Sequence, residues 1–234
     1  MSQNHIPIAS LSRLLQQRTI SVDLKGRILI AGYGTKKIRL DLEPCMDVVA
    51  ANPQKIASIV QSRLGLNNRV FARQCVIQKA DKKTAEDFLN TYHLTGSAAS
   101  GFNYGLFFKD ELVALAAFSK GRKMQRLPNH LRSFELIRFC CKDGITVTGG
   151  LTKLIRNFCR EKNAGDIMTY IDKQFSEGSA FIKAGFEKHS ETPPLEFLIH
   201  QQTFEKQLYQ GGPYDHLKYR LVKNQGNLKL IYTP

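Results

Sequence analysis

The fold is decided by residues 134–186, which read FELIRFCCKDGITVTGGLTKLIRNFCREKNAGDIMTYIDKQFSEGSAFIKAGF. Residues 134–141 form a compact apolar run, short enough for a buried strand. Directly after Gly149 and Gly150, apolar residues recur at helical spacing while basic residues take the other face. The glycines therefore open an amphipathic helix.

The same stretch continues with a second strand and a short helix. Residues 166–172 predict an inner strand, which a helical crossover would place beside the strand at 134–141. Residues 176–186 predict a short helix that contains the sequence FIKAGF. A strand that leads through a glycine turn into a helix leaves the first N–H groups of that helix unpaired. Such a turn can hold an anion, typically a phosphate.

This order of elements resembles the core of the GNAT acyltransferase fold, and FIKAGF at 181–186 is similar to the family's YEKLGF signature. The resemblance implies that the turn holds the pyrophosphate of acetyl-CoA. The cradle would then consist of Thr148, Gly149, Gly150, Leu151, Thr152 and Lys153, the last as an additional charge. The family's turn motif, Q/R-x-x-G-x-G/A, falls on Thr146, Gly149 and Leu151, and only Gly149 matches it.

Further matching stretches lie across residues 69–232, at 70–75, 88–96, 104–107, 135–139, 169–172 and 219–227. Together they resemble GNAT-like domains of phage proteins and of some homing endonucleases. The Tyr92-His93 pair, Arg138 and Asp172 are more distantly similar to the phage Mom-type proteins, GNAT-fold enzymes that modify adenine in DNA. This resemblance implies a site formed by His93, Arg138 and Asp172.

Chemistry supports the same residues independently. Acyl transfer to an amine needs a group that accepts the amine proton, and the imidazole of His93 titrates near neutral pH. Its alternative role is a helix cap. Arg138 and Asp172 on neighbouring inner strands either pair structurally or flank the site. Tyr170 lies on the same strand face as Asp172, where it could stack a flipped base, donate to a leaving thiolate or pack in the core.

A strongly basic loop follows the predicted hairpin at 103–118, whose turn is Lys109-Asp110. No acidic residue lies between Leu112 and Phe134, and the basic residues of the loop are Lys120, Arg122, Lys123, Arg126 and Arg132. Solvation explains one or two such charges, whereas five in one connection favour contact with a phosphate backbone. The net charge of +14 also favours a polyanionic partner.

Composition and length indicate a soluble globular protein with one domain and an appendage, at 234 residues with 42% hydrophobic and 23% charged residues. No apolar run is long enough to span a membrane, and Met1–His5 lacks a signal-peptide core, so we expect a cytoplasmic protein. The five cysteines contain no C-x-x-C pair. We expect buried free thiols and no metal site.

The patterns divide the chain at residue 68. Residues 1–68 predict a small α+β module of unknown role, with a first helix near Ile8–Leu15, two alternating runs at 20–30 and 36–42, and a helix opened by Pro53. Residues 69–234 predict a GNAT-like domain. Its mixed central sheet is flanked by helices, so the fold class is α/β (α+β).

At the C-terminus the patterns predict a short helix at 204–209 and a hairpin formed by 218–222 and 228–232.

The hypothesis that follows is a GNAT-fold acyltransferase that uses acetyl-CoA or a related acyl-CoA and acts on nucleic acid, with a DNA base as the acceptor. Two alternatives stay open. One is a transferase acting on an amine of a protein or small molecule. The other is a non-catalytic DNA-binding module on the same scaffold, which the departures at Thr146 and Leu151 favour.

Overall fold

The computed structural model describes residues 6–234 and has a mixed α/β fold. Met1–His5 lie outside the described residues. The helices are α1 (Ile6–Gln17), α2 (Met46–Ala51), α3 (Pro53–Leu64), α4 (Lys82–Tyr92), α5 (Gly150–Lys162) and α6 (Ser179–Lys183). The first strands are β1 (Ser21–Lys25), β2 (Ile28–Tyr33), β3 (Lys36–Asp41), β4 (Asn68–Phe71), β5 (Val76–Lys79), β6 (Phe102–Phe108), β7 (Glu111–Phe118) and β8 (Arg132–Cys141). The others are β9 (Ile145–Thr148), β10 (Ala164–Asp172), β11 (Glu187–Glu191), β12 (Glu196–His200), β13 (Lys206–Leu208), β14 (Tyr219–Lys223) and β15 (Asn227–Tyr232).

The chain forms two compact units. The first contains the residues up to 66 together with 172–175 and 193–226, and the second contains 67–171, 176–192 and 227–234. The boundary between 66 and 67 lies close to the division expected from sequence. That division assigned 193–226 to the second part, whereas in the structure these residues contact the first unit. Sequence patterns report local structure, and this long-range contact leaves no local signal.

In the first unit, helices α1 to α3 accompany the antiparallel sheet β1-β2-β3. Leu11 and Leu15 of α1 are fully buried, as their helical spacing predicts. Gly65 ends α3 at φ +80°, a conformation that glycine adopts at no steric cost. The first alternating run forms two strands because the chain reverses at Gly26, where φ is +63°.

A second sheet of the first unit has the order β13-β12-β14. Two expectations for this part of the chain were wrong. Residues 206–208 are a strand paired with β12, because Phe204 has φ +61° and ends any helical path there. Strand β14 pairs with β12, whereas β15 pairs with β11, so the two strands do not form a hairpin with each other.

The second unit is built on a mixed seven-stranded sheet with the order β11-β15-β10-β8-β7-β6-β5. The hairpin of β6 and β7 turns at Lys109 and Asp110, both at positive φ, as the sequence predicts. Strand β10 runs parallel to β8, and the crossover between them contains α5. The predicted mixed central sheet with flanking helices is confirmed.

Helices α4 and α5 pack on opposite faces of this sheet. Alternate residues of β7 divide between them, with Leu115 and Ala117 against α4 and Ala116 and Phe118 in the cluster that contains α5. Phe158 anchors α5, because its ring stacks on Phe118 at 3.8 Å between centroids and meets three further aromatic rings edge-on. This packing holds the C-terminal half of α5 against β6, β7 and the start of β8.

None of the helices in the described part of the chain has the length and apolarity that crossing a bilayer requires. The five cysteines are free thiols, of which Cys45, Cys75 and Cys159 are buried.

Candidate functional site

The two central strands of the second unit separate along their length. Strands β8 and β10 pair only from Arg132 to Glu135 on β8, opposite Ala164 to Met168 on β10. Immediately beyond this segment, the Thr169 hydroxyl donates to the Leu136 carbonyl oxygen at 2.9 Å. From there β8 continues to Cys141 paired only with β7 among the described residues. A gap therefore opens between two parallel strands toward their carboxyl ends.

A β-bulge at Ile137 lies at the start of this gap. Phe118 of β7 pairs with Leu136, whereas Ala117 pairs with Arg138, so Ile137 is the additional residue on β8. The Lys142 N–H donates to the Val113 carbonyl oxygen. Hydrogen-bonding direction alternates along an antiparallel strand, so the peptide groups of Phe139 and Cys141 face away from β7, toward the gap.

The predicted glycine turn is present at the start of α5. Gly149 is the N-cap residue at φ +77°, and both Thr148 and Gly149 are exposed. The first hydrogen bond of the helix runs from the Lys153 N–H to the Gly149 carbonyl oxygen. The amides of Gly150, Leu151 and Thr152 precede it and have no hydrogen-bond acceptor among the described residues. They form the expected cradle for an anion.

Gly150 is required by packing. A Cβ at this position would lie 3.0 Å from Val147 Cγ1 and 3.1 Å from Leu106 Cδ1. The missing side chain thus allows α5 to start close against the sheet. The second glycine serves helix–sheet contact, while the first supplies the left-handed turn.

Two predicted cradle residues have other contacts. The Lys153 ammonium donates to the carbonyl oxygens of Ala72 at 2.9 Å and Cys75 at 2.6 Å, so it closes the turn after β4 and is not the additional phosphate contact that was expected. The Leu151 side chain is buried in the core, and only its amide remains for an anion. Thr146, at the motif's first position, accepts a hydrogen bond from Asn67 Nδ2.

The neighbours of the turn on β4 were not expected from the sequence. Phe71 is the register partner of Thr148, and a Cβ at Gly149 would lie 3.7 Å from Ala72 Cβ. Arg73 follows, exposed, with its guanidinium 5.0 Å from the Phe71 ring centroid. The Phe71 and Arg73 pair is visible in the sequence and could have suggested a binding surface. Its place near the glycine turn could not be predicted, because it depends on the parallel pairing of β4 with β9.

Arg138 and the residues after α4 meet at the bulge. Arg138 Nε donates to the Gly96 carbonyl oxygen at 3.1 Å, and Nη1 donates to the Ile137 carbonyl oxygen at 2.9 Å. Burial lowers the pKa of the Arg138 guanidinium, and the nearby Glu135 carboxylate opposes that shift. The structure thus brings Arg138 to the turn that starts at His93.

His93 is the C-cap residue of α4, in the capping role considered as its alternative. Its Nδ1 accepts the Thr95 N–H at 3.2 Å. A ring whose Nδ1 accepts is neutral with the proton on Nε2, so acid–base chemistry at His93 would use Nε2.

Tyr170 lines a small cavity of about 180 Å³ that also contacts the basic loop. The side chain is 44% exposed, so it is not a core residue. Met168, Met124 and Arg122 share the cavity, as does Glu135, which was not among the predicted site residues. Glu135 lines the Tyr170 cavity and also interacts electrostatically with Arg138. In the sequence, Glu135 stands out as a charged residue inside an apolar run. Its neighbours in the cavity could not be predicted, because they depend on the pairing of β8 with β10.

The five basic loop residues differ in their surroundings. Lys120, Arg122 and Lys123 are exposed, and within residues 6–234 no hydrogen bond or ion pair involves their side chains. Arg126 instead binds the buried Asp166, with Nη2 at 2.6 Å and Nε at 3.0 Å from Oδ2. The charge of Arg126 is therefore paired, contrary to the expectation. Arg132 donates from Nη1 to the carbonyl oxygens of Asn129 and Leu131.

Asp172, the last residue of β10, belongs to the first unit. Its carboxylate accepts the Gln174 N–H at 2.9 Å. Burial raises the pKa of Asp172, while this hydrogen bond and Lys206 act in the opposite direction. These contacts of the Asp172 side chain lie within the first unit, and its role in the site stays a prediction.

No family model matches the sequence, and no curated protein matches it. Solved structures with a similar arrangement include an acetyltransferase of Bacillus subtilis in complex with CoA. It has 13% identity and a TM-score of 0.43, with 68% of this chain and 99% of that chain covered.

A GNAT family acetyltransferase of Elizabethkingia anophelis with acetyl-CoA bound has 13% identity and a TM-score of 0.42, with 69% of this chain and 99% of that chain covered. The ribosomal-protein-S18-alanine N-acetyltransferase of Escherichia coli has 7% identity and a TM-score of 0.43, with 68% of this chain and 93% of that chain covered. Likeness at this level decides neither family nor activity, so the function has to be argued from the chain's own geometry.

Proposed function

We propose that this protein is an acyltransferase that takes an acyl group from acetyl-CoA or a related acyl-CoA. The observation that carries the proposal is the gap between β8 and β10, which starts at the Ile137 bulge and has outward-facing peptide groups at Phe139 and Cys141. An extended chain with amide groups can add to such a strand edge as a further strand does, through main-chain hydrogen bonds. The pantetheine arm of CoA is a chain of this kind.

The glycine turn supplies the second requirement, a place for the pyrophosphate. The amides of Gly150, Leu151 and Thr152 and the positive end of the α5 dipole favour an anion there. Because Lys153 is held by two carbonyl groups, we assign the balancing positive charge to Arg73, which follows the β4 residues beside the turn. An arginine suits this task because its planar fork binds phosphate oxygens in pairs.

Acyl transfer to an amine also needs a proton acceptor and a donor that stabilises negative charge. The acyl-CoA supplies an activated carbonyl carbon, on which a C–N bond forms as the C–S bond breaks. We assign proton removal from the amine to Glu135 and stabilisation of negative charge to Arg138, both at the start of the gap. His93, in the turn that Arg138 contacts, carries its proton on Nε2 and has Nδ1 occupied by the Thr95 N–H, so it can donate a proton there, and proton removal is left to Glu135.

We further propose that the acceptor is nucleic acid, as the resemblance to Mom-type proteins implies. Three exposed basic side chains that have no partner in the described part of the chain can contact phosphates, namely Lys120, Arg122 and Lys123. Arg122 shares its cavity with the exposed Tyr170, whose ring can stack on a base. Glu135 in the same cavity can accept a hydrogen bond from an exocyclic amino group, which is also where acylation would occur.

The test incubates the protein with acetyl-CoA and a DNA duplex, measures free thiol release, and analyses the digested nucleosides by mass spectrometry. We expect thiol release that depends on DNA and a nucleoside heavier by one acetyl group. Glu135→Gln should lower turnover at least a hundredfold, since general base catalysis contributes about 10²–10⁴-fold. Tyr170→Ala should raise KM for DNA more than Tyr170→Phe does. Thiol release with peptide or polyamine amines and none with DNA would instead identify the other class of acceptor.

A non-catalytic DNA-binding module is the second candidate. It is favoured by the core position of Leu151 and the contacts of Lys153, which leave mainly backbone amides to hold a cofactor. For such a module, Glu135→Gln and Arg138→Lys should leave DNA affinity unchanged, and acetyl-CoA should have no effect on it.

A further inference from the structure

A second cavity, of about 510 Å³, lies at the β5 edge of the seven-stranded sheet. It is bounded by the end of β5, the first turns of α4, the loop at 97–101 and the last residue of α5. Strand β5 is three positions from β8 in the sheet, which at about 4.8 Å per strand places this edge about 14 Å from the β8 side of the gap. No residue assigned to acyl transfer above lines it.

Three ammonium groups surround the cavity, on Lys79, Lys82 and Lys162. Lys79 Nζ and Lys162 Nζ lie 2.8 Å and 3.2 Å from the same oxygen of Glu161, so two positive charges share one negative charge. Lys82 is 3.7 Å from Glu86. The hydrogen bond from Lys79, with a smaller contribution from Lys162, lowers the pKa of Glu161 to about 2. The lowered pKa is a sign of positive potential at this edge.

Several polar groups at the cavity have no hydrogen-bond partner among the described residues. The hydroxyl of Tyr104, a residue that is 98% buried, lies beside Glu161 but does not reach hydrogen-bond geometry with it. Burial and this carboxylate raise the pKa of Tyr104, so the hydroxyl keeps its proton and remains a donor. The amides of Ala98, Ala99 and Ser100 in the loop likewise have no acceptor. The Tyr104 hydroxyl is a buried donor without an acceptor, which is costly, and a ligand oxygen would remove that cost. The loop amides of Ala99 and Ser100 are exposed and are therefore open to a ligand.

The remaining wall of the cavity is apolar. Ala85 and Leu89 of α4 form one side, and Phe102 forms the other, with Lys162 Nζ 4.1 Å from its ring centroid. The volume lies within the range of about 300–1,000 Å³ that is typical of small-molecule sites. A suitable ligand therefore combines an acceptor-rich anionic group with an apolar body.

We propose that this cavity is a binding site for a small organic carboxylate with an apolar body. The carboxylate lies between the lysine ammonium groups and the loop amides, and the apolar body packs against Leu89 and Phe102. A carboxylate has only acceptors, which suits the donors that the ammonium groups, the Tyr104 hydroxyl and the loop amides supply. A cationic ligand would face three ammonium groups against the two carboxylates of Glu86 and Glu161, so the surplus positive charge disfavours it.

The experiment uses the full-length protein labelled with ¹⁵N and follows its amide resonances during titration with benzoate. Benzylamine serves as a control of the same shape and opposite charge. We expect saturable shifts at residues 97–104 with benzoate and none with benzylamine. Lys82→Gln should weaken benzoate binding at least threefold. Lys83→Gln is the matched control, because Lys83 is the neighbouring exposed residue, pairs with Asp87 as Lys82 pairs with Glu86, and does not line the cavity.

Three results would each overturn the proposal. The first is that benzylamine produces the same shifts at residues 97–104. The second is that Lys82→Gln and Lys83→Gln weaken benzoate binding equally, and the third is that 20 mM benzoate produces no shifts at residues 97–104. A Ser97→Phe variant, which places a ring in the cavity from the exposed loop, gives an independent check. It should abolish the benzoate shifts while leaving acetyl-CoA binding unchanged.

Discussion

The Thr169 hydroxyl donates a 2.9 Å hydrogen bond to the carbonyl oxygen of Leu136, at the point where β8 and β10 stop pairing. Both residues are buried. This bond satisfies a carbonyl that would otherwise have lost its partner when the strands separated, and it fixes where the gap begins. The proposed function depends on this gap. A substitution at Thr169 tests the structure of the gap and leaves every proposed catalytic group in place.

Thr169→Val removes the hydroxyl and keeps the shape of the side chain. We expect a loss of about 1–3 kcal/mol in the free energy of unfolding, because the buried Leu136 carbonyl is left unsatisfied. Urea denaturation measures this change. The control is Thr91→Val, which removes an exposed hydroxyl bonded to the Asp87 carbonyl and should cost about 0.5 kcal/mol or less. Equal effects of the two substitutions would contradict the assigned role of Thr169.

Arg126→Ala tests whether the arginine serves stability or DNA contact. The side chain of Asp166 is 4% exposed, so removal of Arg126 leaves a buried carboxylate without its partner. We expect a loss of about 3 kcal/mol in the free energy of unfolding. Arg122→Ala, in the same loop, should stay within about 0.5 kcal/mol. A stable Arg126→Ala variant that binds DNA more weakly would reverse this assignment.

The exposed part of the basic loop can be tested by the salt dependence of DNA binding. Replacing Lys120, Arg122 and Lys123 together by Gln should reduce the slope of log K against log salt concentration by about 2.7, because each phosphate contact contributes about 0.9. Lys82, Lys83 and Lys109, which are also exposed, give a control triple variant with the same loss of charge. If both triple variants change the slope equally, the effect reports net charge and not a binding surface.

The Glu161 carboxylate should titrate at a pKa of about 2, against an ordinary value of 4.5, chiefly because of its hydrogen bond with Lys79. A pKa that is lower in the folded state than in the unfolded state stabilises the fold. This contribution is complete above pH 4.5 and disappears as the pH falls toward 2. Side-chain carboxyl NMR of wild type and Lys79→Gln measures the effect, and the substitution should raise the pKa. An unchanged value in Lys79→Gln would show that the ion pair does not form in solution.

The sequence predicted those parts of the fold that have a local cause. Pro53 opens a helix through its fixed backbone angle, and Lys109-Asp110 makes a hairpin turn, so each was visible in a few residues. The pairing of β14 with β12 has no local signal, because it depends on contacts between distant segments. The helix expected at 204–209 is instead interrupted locally, because Phe204 at φ +61° ends the helical path and residues 206–208 pair with β12.

The candidate site likewise has one part that the sequence predicted and another part that it did not. The glycine turn was found because two glycines before an amphipathic run have a direct backbone meaning. The gap itself was not predicted, since it arises from register and from a bulge at Ile137, an ordinary apolar residue in sequence. Arg126 was grouped with its neighbours because charge is local information, whereas its partner Asp166 is 40 residues away.

The central claim is that the glycine turn and the gap hold an acyl-CoA, and the most direct measurement is the melting temperature with and without acetyl-CoA. A ligand at about 100 times its Kd adds about 2.7 kcal/mol of stability, so we expect a clear rise for wild type. Thr148→Glu places a negative charge at the exposed turn and should abolish the rise. Thr203→Glu, an identical change at an exposed residue of the first unit, should retain it. No rise at millimolar acetyl-CoA, or the same rise in both variants, would contradict the account.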